Sequence, residues 1–328
     1  METFIKKRKR LAIPESQEGS HYDPRCYKIT KYESNRQGTC SSAVVLDPWS
    51  TFGNLMPDTL QNFMDYGEMC YMFNKSLEED FALNNFLGNH SDIDETSWRE
   101  VITTMIIAHR AIGLDFQTLC LAVNYLERFL ACTPLKAASL KVIGATCLYL
   151  ACKVMEKSLP KMDMFLLLFC GDGFTAPLMY YLEKLVLRRL CFRLRAPTIE
   201  YFLEHFSLRR VSYKECPAAK INRAANALTA ARGIAALSMT RYGFHSYPPS
   251  LLAQCCLRVA DQILQYDTWN RAHPRDCSGP LWQECMGKIT HLVSSNNIFL
   301  CKFMPGVFPE TFPDLVPPPT KNGSKANI

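Results

Sequence analysis

No apolar stretch in this 328-residue chain reaches membrane-spanning length. The longest nearly apolar run, Val142 to Cys152, falls well short of the ~20 residues that a helical span needs, so no transmembrane helix is expected. Leu11, Ala12 and Ile13 run straight into Pro14 and Glu15, which leaves no apolar core for a secretory signal. The expectation is an intracellular protein.

Enzyme motifs are also missing. The chain has no G-x-x-x-x-G-K-S/T loop, and Gly171-Asp172-Gly173-Phe174 lacks the third glycine of a dinucleotide fingerprint and follows no strand. It has no H-E-x-x-H, no G-x-S-x-G and no kinase catalytic set. No cysteine pair has C-x-x-C spacing, and His273, Cys277 and Cys285 match no common zinc pattern. The histidines are dispersed, and His109 and His205 near helix ends read as dipole or surface residues. The expectations are no catalytic residue, no metal and no cofactor. Strand signals are weak too, with no alternating Val/Ile/Thr/aromatic run bounded by hairpin turns.

What the chain does have is apolar side chain and helical period. It is 48% hydrophobic and 21% charged, enough to build a core and to exclude wholesale disorder. Its 15 cysteines are odd in number, and Cys120, Cys147, Cys152, Cys255 and Cys256 sit inside apolar helical runs, where reduced cysteine behaves as a small core residue. The net charge of +6 is uneven. Lys6, Lys7, Arg8, Lys9 and Arg10 against Glu2 place +4 in the first ten residues, so the remainder is nearly neutral. That run reads as a nuclear-import address, with a phosphate-contacting arm as the competing reading.

Residues 1–57 and 305–328 are rich in proline and polar residues and read as disordered tails, the first basic and the second Pro-rich. Between them lies helix after helix. Tyr66, Cys70 and Phe73 share one face of an amphipathic helix within 58–90. Ser91-Asp92-Ile93-Asp94 opens a helix through Trp98, Val101, Ile102, Met105 and Ile106. Asp115 starts the next, and Leu135 to Lys153 follows, apolar nearly all round, which places it in the middle of a bundle. Helices at about 161–170 and 176–190 end at Ala196-Pro197. A similar series then covers Thr198–Ser207, Ala218–Leu237, Pro248–Tyr266, Pro280–Ser295 and a weaker segment near Phe299. The fold class is all-α: two five-helix units, 91–197 and 198–304, behind an N-terminal helix.

Ala122-Val123-Asn124-Tyr125-Leu126-Glu127-Arg128-Phe129-Leu130 resembles the second helix of the cyclin box. Leu148-Tyr149-Leu150-Ala151-Cys152-Lys153-Val154-Met155-Glu156 resembles the end of its central helix. Leu182-Glu183-Lys184-Leu185-Val186-Leu187, then Phe192 and Ala196-Pro197-Thr198, resemble its fifth helix and the link to a second box. The likeness covers about residues 58–300. Asp65-Tyr66-Gly67, Cys70-Tyr71, Tyr201-Phe202-Leu203-Glu204-His205-Phe206, Ser246-Tyr247-Pro248 and Glu284-Cys285-Met286-Gly287-Lys288 read like one subgroup of that family.

The resemblance implies tandem cyclin boxes and a non-catalytic subunit that binds and activates a cyclin-dependent kinase in a heterodimer. It implies action in nucleus and cytoplasm, in cell-cycle control or in a differentiation programme such as centriole amplification in multiciliated cells. The alternative is a cyclin-fold scaffold without kinase activation that binds protein or nucleic acid. The near-neutral core argues against direct nucleic-acid binding. By the same resemblance Lys153 and Glu183 grip the kinase, with Leu150, Val154, Leu187, Phe192 and Leu194 around them and Tyr66, Cys70 and Phe73 on the preceding helix. The bland alternatives are a helix-terminal lysine, a solvated glutamate and plain core. Arg99 and Glu127 match a buried ion pair that braces the first box. The groove that recruits substrates in many cyclins maps to Val101, Ile102, Met105, Ala108 and Lys141. Its tryptophan and acidic residue are replaced by Met105 and Ala108, and Lys141 adds a cation. The expectation is an apolar groove that does not take the usual Arg-x-Leu motif.

Overall fold

The computed structural model describes residues 57–83, 85–169, 175–212, 216–266, 279–304, 307, 308 and 315. The Lys6–Arg10 run, Gly171-Asp172-Gly173, His273 and Cys277 lie outside them. The described residues form eleven α-helices and no strand. They are α1 (Pro57–Leu77), α2 (Glu95–Ile112), α3 (Phe116–Cys132), α4 (Ala137–Met155), α5 (Met162–Phe169) and α6 (Ala176–Arg189), then α7 (Ile199–Val211), α8 (Ala218–Met239), α9 (Pro249–Ile263), α10 (Pro280–Ser294) and α11 (Asn297–Phe303).

Local chemistry sets the helix ends. The Asp94 carboxylate accepts from the Ser97 amide at 2.8 Å, so the stop before α2 is Asp94 rather than Ser91. Gly113 ends the helix with φ +76, a conformation that costs glycine little. Asp115 caps α3 through the Gln117 amide, and Thr198 caps α7 through the Tyr201 amide.

Nearly every side chain of α4 from Leu140 to Cys152 is buried. By length and composition alone α4 could cross a membrane, which corrects the expectation that no segment is long and apolar enough. In this fold it is the central helix of the first box, enclosed by α2, α3, α5 and α6. The second box packs α7, α9 and α10 around α8, which is buried from Ala227 to Ser238. A Cβ at Gly233 would collide with Met304 and crowd Phe308, and Phe308 is itself buried. The stretch read as a disordered tail therefore contributes a core residue. His109 and His205 are also buried rather than superficial, and burial lowers each imidazole to about 4.

The expected brace of the first box is absent. Arg99 is exposed and no ion pair joins it to Glu127. Trp98 is buried and donates its indole N–H to the Met239 carbonyl at 3.1 Å. The next residue is turned by roughly 100° about the helix axis, which carries Arg99 outward. Glu127 is half-buried, and burial pushes its carboxyl up to about 8.

The buried ionic brace is in the second box instead. Arg232 on α8 donates through Nε to Glu200 at 2.9 Å and through Nη2 to Glu200 and to Glu204, the latter at 3.1 Å. Arg232 and Glu200 are almost fully buried. Burial pushes the Glu200 carboxyl up, and Arg232 pulls it back down. Arg210 and Asp261 add a bidentate pair at 3.0 and 2.8 Å between α7 and α9.

Removing one side of a buried pair typically costs ~3–5 kcal/mol, whereas an exposed change away from such features stays within about 0.5 kcal/mol. Urea denaturation is expected to show that large loss for Arg232→Ala and almost none for Arg99→Ala. Glu127 binds its proton in the fold at pH values where the unfolded chain has released it. Its contribution to stability therefore falls as pH rises from about 4.5 towards 8. Glu127→Gln is expected to raise the melting temperature on the order of 2–4 °C at pH 8 and to have little effect at pH 4.5. An equal effect at both pH values would contradict this assignment.

Candidate functional site

Lys153 sits in the last turn of α4, where a cation complements the helix dipole. Glu183 projects from the middle of α6 and is largely buried. The Lys153 ammonium donates to both Glu183 oxygens, at 2.7 and 2.8 Å. It also lies 5.0 Å from the ring centroid of Tyr149 and 5.8 Å from that of Tyr180, within cation–π range. The lysine side chain keeps 32% of its surface and the glutamate 12%. The pair is thus preformed and half-desolvated, with lone pairs left on the carboxylate for a backbone N–H that approaches it.

α4, which carries Lys153, packs against α5 and α6, and these helices and the segments beside them expose apolar side chains. Met155, Leu159, Met164, Tyr180 and Tyr181 are exposed, Leu167 at 81% and Phe192 at 67%. Val154, Leu187 and Leu194 are half-buried, whereas Leu150 is 3% exposed and belongs to the core. Exposed apolar side chains with a few charges among them are the anatomy of a protein interface.

Phe192 is held outward by the backbone. Cys191 and Phe192 both have positive φ, 51° and 56°, a conformation that costs a non-glycine residue about 1–2 kcal/mol. Arg128 from α3 steadies this turn, donating to the Arg193 carbonyl at 2.8 Å and the Leu190 carbonyl at 3.3 Å. The Arg128 and Arg193 guanidinium groups also lie over the Phe81 ring, at 4.8 and 4.7 Å, and Arg193 pairs with Asp80 at 3.2 Å. The segment that follows α1 is therefore fixed against the turn that presents Phe192.

α1 itself shows Tyr66, Met69, Met72 and Phe73 to solvent, while Cys70 is half-buried. Its other face docks on α7, where Tyr71 stacks on His205 at 4.6 Å and Phe63 lies 5.2 Å away from the same ring. Just beyond α1, Glu78 accepts from the Ser250 amide at 2.6 Å, the Ser250 hydroxyl at 2.9 Å and Lys75 at 2.7 Å. It thereby caps the first turn of α9, which lacks a side-chain cap of its own. Glu78, Arg128, Phe81 and the exposed residues of α5 and α6 escaped sequence reasoning. The hydrogen-bond partners of Glu78 and Arg128 lie 172 and more than 60 residues away.

The expected substrate groove is closed. Val101, Ile102, Met105 and Ala108 are at most 1% exposed. Gly144 on α4 lets α2 approach so closely that a Cβ there would lie 2.8 Å from Val101 and 3.4 Å from the Met105 sulfur. Flexible Met105 fills the space instead of lining a cleft. Lys141 is exposed with Glu100 at 3.7 Å, so a carboxylate does stand on this surface.

The family description "Cyclin, N-terminal domain" matches residues 68–195 and "Cyclin, C-terminal domain" matches residues 197–297. Cyclin-O protein B of Xenopus laevis is 42% identical over 278 residues, which cover 84% of this chain and 76% of that protein. Cyclin-O of Homo sapiens is 40% identical over 246 residues, covering 75% and 69%. The subgroup motifs noted in the sequence are thus those of Cyclin-O proteins. Among solved structures, the yeast RNA Pol II CTD kinase CTDK-1 complex contains a chain that superposes with a TM-score of 0.51 at 16% identity, covering 72% of this chain and 78% of that one. A viral cyclin from herpesvirus saimiri gives 0.50 at 17%, covering 62% and 87%.

Glu78→Ala leaves the buried Ser250 amide without its acceptor, a loss of about 1–3 kcal/mol. The expected readout is faster hydrogen exchange in α1 and in the first turn of α9, with α4 and α6 unchanged. Unaltered exchange in α1 would show that the aromatic docking on α7 is sufficient alone.

Proposed function

The chain belongs to the cyclin family, and on that premise we propose that it is a non-catalytic regulatory subunit that binds and activates a cyclin-dependent kinase. The observation that carries this reading is the Lys153–Glu183 pair, preformed at 2.7 Å between two helices of which one, α6, also exposes Tyr180 and Tyr181. A kinase is active only with its Lys–Glu pair and activation segment assembled. A rigid partner that binds that arrangement better than the inactive one shifts the population towards it by its differential affinity. Two features suit the chain to this role: the clamp of Arg128 and Arg193 on Phe81, and the Glu78 cap on α9. Both hold the apolar faces of α1 and α6 in fixed positions before any partner arrives, which lowers the ordering cost of association.

In this reading Lys153 and Glu183 contact kinase backbone groups, and Val154, Leu187, Phe192 and Leu194 pack around them. Tyr66, Cys70 and Phe73 extend the contact along α1. Leu150 supports the surface from beneath. The likeness to Cyclin-O proteins, at about 40% identity, supports a setting in cell-cycle control or in a differentiation programme. That setting is proposed as centriole amplification in differentiating multiciliated cells, with Lys6–Arg10 serving nuclear import.

The test is purification of the full chain with each member of a panel of cyclin-dependent kinases, followed by kinase assay of any stoichiometric complex. One kinase at least is expected to bind and gain activity. Lys153→Ala combined with Glu183→Ala is expected to weaken the complex by about 2 kcal/mol or more, roughly thirtyfold in Kd, with the melting temperature of the free chain little changed. Absence of any complex across the panel would overturn the proposal.

A further inference from the structure

A second candidate site lies in the other box. Between the end of α8 and the C-terminal half of α10 is a cavity of about 480 Å³. Arg241, Lys288 and His291 line it together with Ser295, and no carboxylate does. Lys288, His291, Leu292 and Ser295 fall at i, i+3, i+4 and i+7, so α10 turns one face to the cavity. Glu284 pairs with Lys288 at 2.8 Å and accepts from the Tyr247 hydroxyl at 2.8 Å, but it does not line the cavity. The Arg241 guanidinium has no carboxylate partner among the described residues, and its Nε is buried without a hydrogen bond. In a folded region that is nearly neutral, three basic side chains thus meet at this cavity, and among the described residues the carboxylate paired to them is Glu284, on Lys288.

Two glycines keep the space open. Gly243 and Gly287 both line the cavity, and a Cβ at either would meet no atom within 4 Å. Neither glycine is required by crowding or by positive φ. The volume they leave is larger than a bare inorganic anion needs, and Phe244 and Leu292 give it an apolar wall.

We propose that this cavity binds the phosphate of a phosphorylated serine or threonine within a peptide. A phosphate dianion offers three strong acceptor oxygens. The planar fork of Arg241, the ammonium of Lys288, the His291 ring and the Ser295 hydroxyl together match that demand better than a two-oxygen carboxylate would. The apolar wall takes the carbon stem of the modified side chain. A nucleotide would want an exposed aromatic face for its base, and Phe244 is 8% exposed. The site therefore retains a protein partner that has already been phosphorylated. It stands on the second box, apart from Lys153 and Glu183, and does not depend on the kinase-binding reading.

The test is calorimetry on the full chain without kinase. The probes are a short blocked alanine-rich peptide with one central phosphothreonine, the same peptide unphosphorylated, and inorganic phosphate. The phosphopeptide is expected to bind one per chain, at least about tenfold tighter than its unphosphorylated form, with competition from inorganic phosphate and weakening at high salt. Arg241→Gln and Gly287→Leu are each expected to reduce that affinity at least about tenfold, the first by removing the fork and the second by filling the cavity. Arg99→Ala, which removes a cation elsewhere on the surface, is expected to leave it unchanged. Thermal melts confirm folding, and if one cavity variant fails to fold the other decides. Equal binding of the two peptides, binding of inorganic phosphate alone, or phosphopeptide binding that survives in a folded cavity variant would each overturn the proposal.

Discussion

Ala137–Met155 has almost no polar side chain around its circumference between Ile143 and Cys152, and a helix of that kind is stable in water only when other helices surround it. The rest of the first box follows from this requirement. α2, α3, α5 and α6 form the enclosing ring, and Gly144 admits α2 to close contact. The one cation in the last turn, Lys153, emerges where the ring ends, beside Glu183 of α6. The Lys153–Glu183 pair is thus placed by the burial of the helix that carries its lysine. Its position is as rigid as the core, because moving Lys153 would require moving a packed apolar cylinder.

The second box meets the same problem with different chemistry. α8 is rich in alanine through its buried stretch and has Gly233 within it, so its neighbours approach closely and little apolar volume is available from its own side chains. Arg232 lies in the middle of it, with Glu200 and Glu204 as partners. A buried ion pair of this kind gives little net stability over a well-packed apolar alternative. It does fix the register of α7 against α8, because any slip strands a charge in the core. Arg210 with Asp261 does the same between α7 and α9. One box is held by apolar packing around a cylinder, the other by ionic register between close-packed helices.

Much of the fold was legible because helical period and helix stops are local properties. Asp115, Thr198, Gly113 and the proline breaks mark helix ends whatever the tertiary structure. Lys153 and Glu183 were legible for another reason, since each sits in a run of residues that resembles a family motif. What stayed hidden depended on direction or on distance along the chain. Arg99 matched a family position, yet the indole of Trp98 fixes the rotation of α2 and turns Arg99 outward. Met105 read as the wall of a groove, and its flexibility lets it fill the groove instead. Glu78 carries no signal in the sequence, because its partner Ser250 is 172 residues away. The cavity beside α10 was equally invisible, since two glycines and a helix face meet only in the folded chain.

The exposed apolar side chains of the first box raise the question of why they stay outside. Leu167 and Phe192 are large and mostly exposed; burying either fully would gain about 1.5–3 kcal/mol. For Phe192 the backbone answers the question. Two consecutive residues in the left-handed region oppose folding back, and Arg128 satisfies the carbonyls on both sides of the turn, so the strained geometry is the one the hydrogen bonds favour. Strain held in place by the surrounding structure is characteristic of functional sites. Here it has a specific consequence: the turn keeps an apolar side chain available that hydrophobic collapse alone would withdraw. A partner that covers Phe192 recovers the burial free energy without having to reorganise the turn.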